Sequence, residues 1–349
     1  MNDLSSPTTL SETVNGRAPL LSVEGLKTHF STRDGIVKAV DGVSFEVHDG
    51  EIVGLVGESG SGKTMTSLSI LRLVPAPGGR IVAGQVRFRG QDLLQLSEAE
   101  MRSVRGGQIS MILQDPLTSL NPVYSIGNQV AEAFQAHRKA VKSRTRLSER
   151  VVDVLKQVRI PAPERLVRSY PHQFSGGMRQ RVSAAIAIAS QPKLMIADEP
   201  TTALDVTTQA QFLQLLRQLR DEANLSIIYI THDLGVVARL CTRVIVMYAG
   251  RIVESGPVRA IYKNPAHPYT RGLMRSVPRL GDHRDKLFQI PGQPPQLLNM
   301  PPGCSFRSRC SMAQDICGQT PPDQKVGDRH RAACWFAGQP EPSPRAGGV

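Results

Sequence analysis

The stretch Gly57-Glu58-Ser59-Gly60-Ser61-Gly62-Lys63-Thr64 constrains this chain more than any other. Its spacing is G-x-x-x-x-G-K-T. An apolar run of buried-strand type, Glu51 to Val56, precedes it, and Met65 to Leu73 has helical composition after it. A strand that turns into a helix through glycines aims several backbone N–H groups at one point, and the helix N-terminus adds partial positive charge there. Lys63 is placed to reach the β and γ phosphates of a nucleoside triphosphate, and the Thr64 hydroxyl to ligate Mg²⁺. A glycine-rich turn alone is more often structural. The full pattern between a strand and a helix is specific for phosphate binding.

The chain's 349 residues suffice for one large domain and a smaller one. No run approaches the ~18–20 apolar residues that span a bilayer. The polar start, Met1 to Pro19, lacks the basic and apolar regions of a signal peptide. A cytosolic protein that meets a membrane only through partners is therefore expected. The net charge is +12, but the basic residues are scattered and aromatics are few. This favours a solvated basic surface beside a membrane over nucleic-acid binding.

In chain order, residues 1–20 read as a disordered tail. Leu21 to Leu26, Val37 to Val40 and Ser44 to Val47 read as short strands of an antiparallel patch. Phe30 lies in this patch, either as core or as a ring stacked on a nucleotide base. Gly84 to Gly90 and Ile109 to Leu113 read as further strands. A helical insertion follows at about residues 115–185. Helices at Met178–Ser190 and Thr207–Ala223 then alternate with strands at Lys193–Ala197, Ser226–Ile230 and Val244–Tyr248. The alternation predicts an α/β fold with a P-loop core, its mostly parallel sheet covered on both faces. Residues 257–338 are proline-rich with little periodicity. They predict a small loop-dominated module that needs a staple, before a second tail at 339–349.

Asp198 closes an apolar strand, where a carboxylate helps hold Mg²⁺. Glu199 beside it is a candidate base for the attacking water. His232 follows another apolar strand and would face the crevice at the carboxyl edge of the sheet. Ser175-Gly176-Gly177 opens a helix and forms a second anion-binding N-terminus. Two phosphate-binding elements with only one lysine-bearing loop are reconciled if ATP is shared between subunits.

Together with Gln114, Met178-Arg179-Gln180 and Ala203-Leu204-Asp205, these residues resemble the ATP-binding subunit of an ABC transporter over about residues 21–256. The resemblance implies a head-to-tail dimer with two ATPs at its interface. Lys63, Thr64 and Asp198 would serve ATP and Mg²⁺. Gln114 would sense Mg²⁺ and couple to the membrane subunits. Glu199 would be the base, and His232 would contact the γ-phosphate. Ser175 and Gly177 would contact the ATP of the other subunit, and Asp205 would link the two sites. By position Phe30 matches the base-stacking aromatic. Met178 stands where many members have Gln.

Gln114-Asp115-Pro116-Leu117-Thr118-Ser119-Leu120-Asn121-Pro122, Phe174 to Arg181 and His267-Pro268-Tyr269-Thr270 narrow the likeness to the dipeptide/oligopeptide importer ATPases. So does the terminal cysteine module. This implies an engine for di- and oligopeptide import at the cytoplasmic face of a bacterial membrane. Its implied partners are two permeases, a solute-binding protein and a second, related ATPase, hence a heterodimer. The alternatives are another cargo, such as a nickel chelate or an oligosaccharide, or a soluble non-transport ABC ATPase.

The cysteines are spaced Cys304-x₅-Cys310-x₆-Cys317-x₁₆-Cys334. They lack the tight pair usual for structural zinc. Loose spacing suits a four-thiolate iron–sulfur cluster, and the family resemblance also points to 4Fe–4S. Zinc or unliganded thiols remain open. Cys241 reads as an ordinary buried cysteine.

Overall fold

A computed structural model of the chain describes residues 18–114, 119–137, 144–277 and 288–340. Of the expected tails at 1–20 and 339–349, residues 1–17 and 341–349 lie outside the described residues, as do Asp115 to Thr118 of the quoted motif. Leu20, at the end of the first expected tail, is buried in the core.

The strands are β1 (Leu21–Thr32), β2 (Gly35–Val47), β3 (Ile52–Val56), β4 (Gly79–Phe88), β5 (Gln91–Asp92), β6 (Ile109–Ile112), β7 (Leu194–Asp198), β8 (Ser226–Thr231), β9 (Arg243–Tyr248), β10 (Arg251–Pro257), β11 (Asp323–Gly327) and β12 (His330–Ala333). They form a four-stranded sheet, β2-β1-β4-β5, and an eight-stranded sheet, β11-β12-β10-β9-β3-β8-β7-β6. The run β9-β3-β8-β7-β6 is parallel. The β10, β12 and β11 edge is antiparallel.

Strand alternation divides the core between the two faces of the large sheet. Ile52, Val56, Ile227, Tyr229, Val244 and Val246 face a layer that includes the helices Ile126–His137, Arg144–Gln157, Gly176–Ile188 and Val206–Ala223. Val53, Leu55, Ile228, Ile230, Ile245 and Met247 face the small sheet and residues of the helices Lys63–Ile70 and Glu98–Val104. The antiparallel patch therefore supplies part of the second covering layer.

The segments read as separate strands at 37–40 and 44–47 are one strand. Gly42, at φ 82°, is a bulge: Leu26 pairs with Val43 and Lys27 with Asp41, so the ladder skips it. A glycine that reads as a turn is here absorbed into the pairing. β4 likewise starts at Gly79, earlier than the composition indicated. Opposite its Gly84 the bulge is on β1, where Gly25 and Leu26 face that one residue, and a Cβ on Gly84 would lie 2.5 Å from Leu26 Cα.

Residue 256 falls inside β10, and β12 pairs with that strand. The cysteine region thus adds its own hairpin to the ATPase sheet. Its other regular pieces are the helices Val258–Lys263 and Pro268–Ser276 and short 3₁₀ turns at Arg307–Arg309 and Asp315–Gly318.

Candidate functional site

Parallel strands end together, so the residues after β3, β6, β7 and β8 meet along one edge. After β3 the chain runs through residues 57–62 into the helix Lys63–Ile70. Lys63 is 5% exposed. Its Nζ donates to the carbonyls of Gly57 (2.9 Å) and Glu58 (3.0 Å) and toward Ser61 Oγ (3.5 Å). The ammonium is thus folded onto its own loop. Burial lowers its pKa, opposed by the carboxylates of Glu199, Asp198 and Glu58. A triphosphate would give it a better partner than neutral carbonyls. Ser59, Gly60 and Thr64 are exposed, and Ser61 and Gly57 are buried.

The expected catalytic residues converge. Gln114, just beyond β6, donates from Nε2 to Glu199 Oε2 at 3.3 Å. His232, just beyond β8, lies with Nδ1 3.2 Å from Glu199 Oε1. Glu199 itself follows β7 at φ 44°, a left-handed conformation strained for a side chain of its size. Its amide donates to the Ile230 carbonyl at 2.9 Å, which fixes the turn. Thr202 was not singled out from the sequence. Its hydroxyl donates to Glu199 Oε2 at 3.1 Å, so the carboxylate is held from three directions.

Asp198 ends β7, only 2% exposed, and its Oδ1 has no hydrogen-bond partner. Burial raises its pKa, the Thr64 hydroxyl opposes this, and Glu199 adds to it. An orphaned buried carboxylate oxygen beside a threonine hydroxyl is chemically suited to a hard divalent cation. Mg²⁺ therefore fits Asp198 and Thr64.

Phe30, on β1, is half-buried. Its ring lies close to Gly79, where a Cβ would come within 2.6 Å of Phe30 Cε1. This contact supports packing and leaves base stacking without a structural indication of its own.

Ser175 caps the helix Gly176–Ile188, accepting from the Met178 amide at 3.3 Å. Ser175 and Gly176 are exposed. Among the described residues no hydrogen bond joins them to the phosphate loop. Asp205 caps the helix Val206–Ala223 and accepts from the Thr208 amide (2.9 Å) and hydroxyl (2.7 Å). These bonds lower its pKa. The two helix starts touch: a Cβ on Gly177 would lie 2.3 Å from Thr208 Cγ2. Val206, beside Asp205, is 77% exposed.

Residues beyond 256 reach the phosphate loop. The Tyr269 hydroxyl accepts from the Glu58 amide at 2.9 Å, and Arg309 grips the Glu58 carboxylate at 2.7 and 3.1 Å. His267 is fully enclosed. Burial lowers its pKa to about 4, and its Nδ1 accepts from the Tyr269 amide at 3.0 Å. The sequence marked 267–270 only as part of a resemblance, and nothing in the spacing of Arg309 connects it with Glu58.

Cys304, Cys310, Cys317 and Cys334 line one pocket with Phe306, Trp335 and other residues, and none is in a disulfide. The amides of Met312 and Phe336 each point at the sulfur two residues back, 3.4 Å from Cys310 Sγ and Cys334 Sγ. Burial raises the Cys304 and Cys334 pKa values and pushes Cys310 to about 11. Among the described residues no group of three or more His, Cys, Asp or Glu side chains could hold a metal ion. As placed, the sulfurs share a pocket without forming a metal site. The expected iron–sulfur cluster gains no support from this arrangement. Cys241 is buried against Gly54, as expected for an inert core thiol.

Comparison with known proteins agrees with this geometry. Residues 40–202 match the family model described as ABC transporter, and residues 253–317 that of the oligopeptide/dipeptide transporter C-terminal region. A probable peptide ABC transporter ATP-binding protein of Sinorhizobium fredii is 51% identical, covering 90% of this chain and 94% of that one. The Bacillus subtilis oligopeptide transport ATP-binding protein OppD is 50% identical, covering 91% and 88%. The dipeptide transport ATP-binding protein DppD of the same organism is 47% identical, covering 92% and 95%. Among solved structures, a dimeric bacterial ABC transporter cassette superposes with TM-score 0.62 at 27% identity, covering 68% of this chain and 99% of that one. A cassette dimer in a post-hydrolysis state with ADP and Pi gives 0.62 at 26% identity, with the same coverage. The order of motifs, the edge on which they meet and these likenesses agree: the chain belongs to the ABC transporter ATP-binding proteins, in their oligopeptide/dipeptide branch.

Proposed function

We propose that this chain is the ATP-hydrolysing subunit of a bacterial importer of di- and oligopeptides. The observation that carries its ATPase chemistry is the meeting of Gln114, Glu199 and His232 at one carboxylate, next to the orphaned Asp198 oxygen. The peptide cargo rests on the match at residues 253–317 and on relatives named for peptides.

Glu199 acts as the base. Its two oxygens are oriented by Thr202, Gln114 and His232, and the carboxylate so held takes the proton of an attacking water. His232 would contact the γ-phosphate, and Lys63 would exchange loop carbonyls for phosphate oxygens. Mg²⁺ would be held by Asp198, Thr64 and Gln114 and would neutralise phosphate charge. Phe30 would stack on the base. The Ser175-Gly176-Gly177 start, exposed at Ser175 and Gly176, would meet a nucleotide from another subunit, and the exposed Val206 beside Asp205 marks the face that subunit would cover. We assign that place to a second, related ATPase. ATP closes the pair, closure moves two permeases, and hydrolysis resets it, so binding energy is spent on a shift between open and closed states.

Among the described residues no helix is long and apolar enough to cross a membrane. This is consistent with a peripheral position on the cytoplasmic face, supplied through a solute-binding protein outside. We assign residues 21–256 to the ATPase domain, 257–338 to the C-terminal module and a 4Fe–4S cluster to its four cysteines. The loose cysteine spacing carries the cluster reading, which requires the sulfurs to draw together. Metal and acid-labile sulfide analysis of anaerobically purified protein tests it; zinc without sulfide would overturn it.

Uptake of labelled di- and oligopeptides, with labelled nickel in parallel, tests the cargo. Cells carrying the intact chain are compared with cells carrying Glu199→Gln. Selective loss of peptide uptake is expected. Loss of nickel alone would keep the engine and change its cargo.

A further inference from the structure

An acidic side chain is a poor neighbour for a triphosphate, yet Glu58 is the second residue of the phosphate loop. Its carboxylate is neutralised from the far end of the chain. Arg309 is buried, its side chain 4% exposed. Nη1 donates to Glu58 Oε2 at 2.7 Å and Nη2 to Oε1 at 3.1 Å, a two-pronged pairing that fixes direction as well as charge. Arg309 is itself held. Nε donates to the Pro291 carbonyl at 2.9 Å, Nη2 to that of Ile290 at 3.3 Å, and Nη1 to the Tyr248 hydroxyl at 3.3 Å. Its guanidinium lies 5.8 Å from the ring centre of Tyr248 and 5.9 Å from that of Phe306.

The backbone of the same residue is held too. The Glu58 amide donates to Tyr269 Oη at 2.9 Å. Tyr269 is fully buried, its ring 4.6 Å from Tyr248 and 5.4 Å from Phe306. The Glu58 carbonyl meanwhile accepts from Lys63 at 3.0 Å. One loop residue thus has its amide and side chain fixed by residues beyond 256, and its carbonyl fixed by the phosphate-binding lysine.

We infer that Arg309 and Tyr269 are positioning residues for the phosphate loop, through which the C-terminal region sets the affinity for ATP. Arg309 cancels the repulsion between Glu58 and the phosphates. Tyr269 fixes the conformation in which the following amides face the anion.

The test measures dissociation of a fluorescent ATP analogue from the full-length chain in a Glu199→Gln background, and KM and kcat with Glu199 intact. Arg309→Gln is expected to weaken ATP binding and raise KM about tenfold, within the usual range of coupling between two sites, with kcat changing far less. Arg309→Lys should recover part of the loss. Adding Glu58→Gln to Arg309→Gln should restore affinity, because the unpaired carboxylate is gone; a purely structural role would instead make the double variant worse. Tyr269→Phe keeps the ring packing and should weaken ATP binding less than Arg309→Gln, with an unchanged melting temperature. Folded Arg309→Gln with unchanged ATP affinity and KM would overturn the inference, as would a double variant whose losses add. Should Arg309→Gln not fold, Tyr269→Phe and the double variant decide, and unchanged affinity in Tyr269→Phe overturns it. No peptide enters the experiment, so its failure leaves the cargo reading standing, and the reverse holds.

Discussion

The parallel half of the large sheet and its antiparallel edge share one hydrogen-bonded ladder but are held by different physics. The strands β3, β7 and β8 are buried at every position and are covered on both faces by apolar layers. At the edge, β11 alternates exposed and half-buried residues, and β12 alternates buried and half-buried ones. Its organising group is a carboxylate. Glu254, whose side chain is fully buried, accepts from the amides of Ala266 (2.8 Å) and His267 (2.9 Å) and lies 2.7 Å from His330 Nε2. Two chain segments, 266–267 and the start of β12, are tied to one buried acid on β10, where the core uses surface area. Apolar burial tolerates small displacements; a buried polar centre fails abruptly when one partner is lost.

The largest expected effect lies in the parallel half. Glu199→Gln should lower ATP turnover by about 10²–10⁴-fold with ATP binding retained, measured by steady-state hydrolysis and nucleotide binding. Unchanged turnover would remove Glu199 as the base. Next in size, Phe212→Ala removes a ring that is 1% exposed. It should cost about 3–5 kcal/mol, read as a lower midpoint in denaturant for the whole chain. His330→Ala takes one partner from Glu254 and should cost about 1–3 kcal/mol. That loss should appear as faster amide exchange confined to β10, β12 and residues 266–267. Slower folding or melting of the whole molecule, equal to that of Phe212→Ala, would break the comparison by showing that both regions unfold as one.

The smallest effect is acid-dependent. Burial pushes the Glu51 carboxyl up, but hydrogen bonding and charge from Arg243, with the His48 amide, prevail and hold its pKa below the usual value. A depressed folded pKa means that this stabilisation is present above the unfolded pKa and is lost as pH falls through the folded one. Arg243→Met should therefore move the onset of acid unfolding to higher pH. An unchanged onset would show that the pair contributes nothing in acid.

Most of the candidate site was legible because several of its residues follow apolar runs. Asp198 and His232 stand at strand ends that composition alone marks, and parallel strands must bring those ends together. The glycine bulge in β2 was not legible, since Gly42 has the same appearance in a turn and in a ladder. Nor was the attachment of β12 to β10, because strands with half-polar faces carry little periodicity. The Glu58–Arg309 pair spans most of the chain, and a single ion pair leaves no pattern in either local sequence. The four cysteines show the opposite failure. Their clustering in sequence is plain and the fold gathers them in one pocket, yet proximity stops short of a ligand set.

Gly177 and Thr208 meet with no clearance, and Thr208 is tied to the carboxylate of Asp205. The contact behaves like a bearing without play. Any shift of the helix start at Ser175 toward that contact must push the start of the helix Val206–Ala223 with it. Two faces far apart in the sequence thus share one mechanical tolerance, set by the width of a missing methyl group.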